Sequence, residues 1–132
     1  MAAFAGFLSG REATKYMKKR NEGSIFFTGA TASVRGGSGF SAFAGAKFAL
    51  RALSQSMARE LGPIGIHVAH FIIDGAIDTA FIKENFPDIY ALKEKDGILQ
   101  PSAIADAYWF VHTQEKNAWT HELDLRPYME KF

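Results

Sequence analysis

Phe43 and Lys47 stand four positions apart in GFSAFAGAKFAL, residues 39–50. On a helix that spacing stacks the two side chains on one face. A lysine placed one turn from an acid favours the acid's ionised form. Phenylalanine is no such acid, because it has no ionisable group. Taken alone, Lys47 reads as a helix lysine whose stem covers a partly buried face while its ammonium reaches water. The preceding loop, GATASVRGGSG at residues 29–39, is rich in glycine and hydroxyls. Thr28, Thr31, Ser33, Ser38 and Ser41 lie in it or beside it. Thr31 could orient a substrate oxygen, but no hydroxyl of this set titrates near neutrality, so none is an obvious proton donor. Ser38 and Ser41 read as helix caps.

Other polar residues tempt less. Asp74 and Asp78 read either as an acid pair or, more simply, as a solvated turn aspartate and a helix N-terminal aspartate. His67 and His70 are three apart on a strand, so they point to opposite faces and cannot share one metal. His112 and His121 read as surface or capping histidines. No metal site is expected. Tyr108, Trp109 and Phe110 read as core and interface rather than a platform for bases.

The elements that must position these residues are legible from periodicity. Residues 2–20 carry Phe4, Phe7, Leu8, Tyr16 and Met17 at loosely helical spacing, with basic residues gathered at the far end. Residues 24–28 form a short apolar run that reads as a buried strand. Residues 40–61 give the clearest helix, with Phe43, Ala46, Leu50, Leu53, Met57 and Leu61 recurring every three or four positions. Gly62-Pro63 stops it and Gly65 closes the turn. Residues 66–73 read as a second strand, ended by Asp74-Gly75. Residues 79–97 read as short helix and loop. Pro101-Ser102 opens another helix, through about His112, with Ile104, Ala107, Tyr108 and Val111 inward. Residues 121–125 alternate like a strand near a sheet edge. Strands alternating with helices predict an α/β fold with a parallel sheet and right-handed crossovers. About three strands leave a narrow sheet with both edges unpaired. The chain is therefore expected to be a single partial domain spanning residues 1–132.

Composition narrows the functional classes. The 132 residues carry a net charge of +1, too little field to attract nucleic acid or an anionic membrane. Cysteine is absent, which excludes disulfide and thiolate chemistry and fits a reducing, cytoplasmic setting. No segment is apolar enough for a membrane span. MAAFAGFLSG has no basic residue ahead of it and reads as the front of a helix, not a signal peptide.

The order of elements, and above all GSIFFTGATASVRGGSGFSAFAGAKFALRALSQSMARELGPIGIHVAHFIIDG at residues 23–75, resembles the C-terminal half of a short-chain dehydrogenase/reductase. The resemblance implies a partial Rossmann-type sheet, NAD or NADP as cofactor and a small-molecule substrate that it does not name. It places Lys47 as the family lysine, which also binds the nicotinamide ribose. Gly75 and Thr79 match the loop that lies against the nicotinamide, with Asp74 where the family has proline, and Ile77 and Thr79 become contact candidates. Phe43 falls on the family's tyrosine position and Ala30 on its serine position. The active-site asparagine would fall at or near Ala2. No Gly-x-x-x-Gly-x-Gly opens the chain, so the phosphate-binding half is expected to be absent.

Two expectations follow. One is a divergent or truncated NAD(P)-dependent oxidoreductase, inactive as this chain. The other is a non-catalytic module, a pseudoenzyme fragment, that self-associates. In the family, the helices corresponding to residues 2–20 and 40–61 pack against their copies in a dimer, which implies a homo-oligomer.

Overall fold

The computed structural model describes residues 2–131. Its elements are α1 (Ala2–Met17), β1 (Gly23–Ala30), α2 (Ser41–Leu61), β2 (Ile66–Ile73), α3 (Ala80–Asn85), α4 (Pro87–Tyr90), α5 (Pro101–His112) and β3 (Glu122–Leu125). The strands form one parallel sheet in the order β1-β2-β3. This is the α/β architecture that the alternation of strands and helices predicts.

Side chains of alternate residues leave opposite faces of the sheet. Ile25 and Phe27 of β1 join Ile66 and Val68 of β2 against Leu50 and Leu61 of α2. Ala69, Phe71 and Ile73 of β2 face Val111 of α5 on the other side, with Tyr108 stacked on Phe71 at 3.7 Å between ring centroids. The central strand β2 is buried along its whole length, which explains its continuous apolar run.

Three local expectations change. β1 extends through Gly29 and Ala30, which pair with Ile72 and Ile73, so the glycine-rich stretch begins as strand. Helix α1 turns a stripe of small residues inward. A Cβ on Gly6 would stand 2.5 Å from Leu50 and one on Gly10 2.8 Å from Met57, so only glycine allows the close approach of α1 to α2. The aromatic residues that marked its periodicity face outward instead: Phe4 is 68% exposed, and Phe7 and Tyr16 are also exposed. Neither Ser38 nor Ser41 caps α2. The N-cap position is Phe40, without a side-chain hydrogen bond, and Ser41 is already the first helical residue.

The stop signals act as read. Gly62-Pro63-Ile64 forms a single 3-10 turn, and Gly65 takes φ 88°, the left-handed geometry that favours glycine. Among the described residues, no helix is long and apolar enough to cross a membrane.

Candidate active site

The C-terminal ends of β1 and β2 open into a cleft of about 660 Å³. Open α/β sheets bind ligands at this end of the strands. Ala30, Thr31 and Ile73 form the floor, Phe40 and Phe43 the α2 side, and Phe81, Ile82, Phe86 and Ile89 the α3–α4 side. The apolar residues of 79–97 thus serve chiefly as cleft wall, and most are exposed.

Helical spacing brings Phe43 and Lys47 together as expected. The Lys47 ammonium lies 5.8 Å from the centre of the Phe43 ring, within cation–π range. Its Nζ donates to the Thr28 carbonyl at 2.8 Å, which fixes the lysine against the end of β1. Partial burial lowers the Lys47 pKa, because desolvation penalises the charged form.

The hydroxyls separate. Ser33 is fully buried, and its Oγ accepts from the Ala30 backbone N–H at 3.0 Å. Thr28 pairs with the Tyr108 hydroxyl at 2.7 Å, outside the cleft. Of the five, Thr31 alone lines the cleft. Its hydroxyl donates to Asp74 Oδ1 at 2.5 Å.

The solvated-turn reading of Asp74 is wrong. The residue is 2% exposed, bonded to Thr31 and 3.8 Å from the Arg35 guanidinium. Asp78 is instead held by Lys93 at 2.8 Å, and that hydrogen bond keeps its pKa below the usual carboxylate value. The two aspartates are thus engaged by different cations. Gly75 takes φ 145°, and a Cβ there would meet Pro127 at 2.9 Å. Ile77 bridges to Leu99 and packs on the second core, while the Thr79 hydroxyl caps α3 by accepting from the Ile82 N–H.

The histidines do lie on opposite faces of β2. His67 stacks on Trp119 at 4.5 Å, and its Nε2–H donates to the Thr120 carbonyl. His70 is fully buried on the α2 side, where Nδ1–H donates to Glu122 at 3.0 Å. Glu122 also takes a two-pronged bond from Arg51, at 2.8 Å for each contact. Sequence reasoning missed this Arg51–Glu122–His70 network, whose members lie 52 and 71 residues apart. No local spacing signals it. His121 is not a surface histidine either: its Nδ1 lies 3.1 Å from the Val68 carbonyl and ties β3 to β2. His112 is exposed beside Ser24.

Burial lowers the pKa of both His67 and His70 from 6.5, so the fold disfavours their charged forms. The unfolded chain then binds more protons below pH 6.5, and stability falls as pH falls. Urea midpoints measured from pH 7 to 5 are expected to decrease continuously. A flat profile over that window would contradict neutral burial.

A family model described as short chain dehydrogenase matches residues 2–89. Among curated proteins, the chain is 29% identical over 118 residues to (21S)-21-acetoxyl-apo-melianone synthase SDR of Melia azedarach, covering 83% of this chain and 43% of that protein. It is 30% identical over 92 residues to 3-dehydrosphinganine reductase of Danio rerio, covering 67% of this chain and 28% of that one. A crystal structure of a short-chain dehydrogenase from Rhodopseudomonas palustris is 52% identical, with TM-score 0.74 over 97% of this chain and 49% of that chain. The chain thus spans less than half the length of these relatives.

Proposed function

The chain belongs to the short-chain dehydrogenase family, and from that premise we propose that it forms the nicotinamide- and substrate-facing part of an NAD(P)-dependent oxidoreductase site that lacks its usual acid. The carrying observation is the Phe43–Lys47 pair, set at the strand ends beside an apolar cleft. The same fold holds NADP in a serine dehydrogenase and in ElxO, which supports the cofactor class.

The residues present fit one end of such a cofactor. Lys47 uses one N–H on Thr28 and keeps two for a ribose. Gly75 and Ala76 line the cleft, and Ile77 and Thr79, which follow them in the chain, remain the proposed nicotinamide contacts. No Gly-x-x-x-Gly-x-Gly occurs among residues 1–132, so no diphosphate grip is assigned to this chain. A nicotinamide bound here supplies hydride chemistry. This chain's part is to hold the ribose through Lys47 and to pack an apolar surface, Phe43 and Ala30, around the reacting carbonyl. In the family frame these two positions carry the tyrosine acid and the serine donor. Phe43 offers no proton and Ala30 no side-chain hydrogen bond, so the ordinary acid–base step has no donor on these side chains. The chain by itself is therefore inactive in carbonyl reduction.

Titration with NADPH tests the reading, followed by energy transfer from Trp109 and Trp119 to the reduced nicotinamide. Saturable binding at about 1 mM, equivalent to about 4 kcal/mol, is expected, and Lys47→Ala should weaken it severalfold. No binding at several times that concentration would remove the redox reading.

A second reading, a self-associating module without catalysis, draws on a different observation. Phe4, Phe7 and Phe48 are exposed on α1 and α2, and a groove of about 340 Å³ runs between those helices. A compact monomer in light scattering would dismiss it.

A further inference from the structure

We propose that the cleft admits an elongated apolar molecule ending in a carboxylate, and that Arg35 is the residue that reads this end. The inference rests on the cleft being the substrate side of the redox site. Its walls are Phe40, Phe43, Phe81, Ile82, Phe86 and Ile89, and its volume suits a ligand of medium size. Such walls favour a hydrocarbon body by removing it from water.

Arg35 is the one charged side chain lining the cleft among the described residues. Its guanidinium is incompletely engaged. Nη2 donates to the Lys131 carbonyl at 3.0 Å and lies 3.8 Å from Asp74. Nε and Nη1 have no partner among the described residues. Asp74 pairs with Arg35 only at 3.8 Å, beyond hydrogen-bond distance, so it leaves the remaining guanidinium donors unoccupied. A planar fork with free donors, set against apolar walls, matches a carboxylate in geometry and charge. The Arg35 side chain is 44% exposed, which places the charged end of the ligand at the rim and its apolar body inside. Nearby Asp74 offsets part of the attraction, so the preference for an anion is moderate rather than absolute.

Calorimetric titration of the chain with octanoate and with octanamide separates charge from shape. The two probes share one chain length and nearly one outline. Octanoate is expected to bind about tenfold more tightly. Arg35→Met should abolish that preference while leaving octanamide affinity unchanged. Phe86→Ala should weaken both probes together, locating them in the cleft. Equal or tighter binding of octanamide by the native chain would overturn the proposal. So would a preference that survives Arg35→Met, or failure of both probes to bind. Parallel NADPH titration keeps the two readings apart. Carboxylate preference without NADPH binding leaves the Arg35 site standing and the redox reading fallen. NADPH binding without the preference gives the reverse.

Discussion

Gly29→Ala lowers the unfolding free energy by about 3 kcal/mol. The residue sits on β1 opposite Ile72, facing the α2 side of the sheet. A Cβ there would stand 2.4 Å from His70 Nε2 and 2.6 Å from Ser33 Oγ. Neither neighbour can withdraw freely. Both are fully buried. Ser33 accepts the Ala30 N–H, and His70 is tied through Nδ1 to Glu122. Relief requires a strand shift or the breaking of one of these bonds. Overpacking alone costs about 1–3 kcal/mol, and a lost bond to a charged group adds about 1.5–3. Because Gly29 precedes Ala30, the shift also displaces the floor of the cleft. Urea denaturation checks the value, and a loss below about 1 kcal/mol would show that the sheet and α2 yield more easily than this packing implies.

Glu122→Ala is the second large effect, about 3 kcal/mol. β3 is only four residues long, and Glu122 fastens it both to α2, through Arg51, and to β2, through His70. Truncation leaves a half-buried guanidinium and a fully buried imidazole N–H without their acceptor. Glu122→Gln keeps one acceptor oxygen and should recover about half the loss. A double variant, Arg51→Met with Glu122→Leu, should cost less than Glu122→Ala alone, because removing both charges leaves no charge unpaired. Arg51, first, and then His70 hold the Glu122 pKa below 4.5. The network's contribution is therefore complete above pH 4.5 and lost as pH falls through the folded-state value. Chemical denaturation of the three variants at pH 7 measures the ordering. A Glu122→Ala chain as stable as the native one would show that β3 is held by its backbone ladder alone.

The legible part of the fold was the part encoded locally. The periodicity of α2, the apolar run of β2 and the Gly62-Pro63-Gly65 stop each carry their meaning within a few residues. Phe43 and Lys47 could be placed on one face because helical geometry fixes that relation. α1 is less legible, since its inward stripe is built of Gly6 and Gly10, which carry no hydrophobic signal, while its aromatic residues face out. Asp74 follows an apolar strand and precedes glycine, a pattern shared by many exposed turns. Only the approach of Thr31, 43 residues away, makes it a buried acceptor. The Arg51–Glu122–His70 network is a product of tertiary folding and has no spacing to read. Arg35 likewise becomes a cleft residue only once α3 and α4 supply the opposite wall.

We propose that α2 keeps the frame of an acid beside a lysine, with Phe43 one turn from Lys47 standing where the acid would be. Phe43→Tyr places a phenol at that position, and near-ultraviolet difference titration against the native chain follows it. With the Lys47 ammonium one turn away, that phenol should ionise about one unit below the ordinary value of about 10. Adding Lys47→Met should return it to about 10 or above. A phenol that titrates at its ordinary value in the Phe43→Tyr chain, indifferent to Lys47, would show that α2 does not couple the two positions.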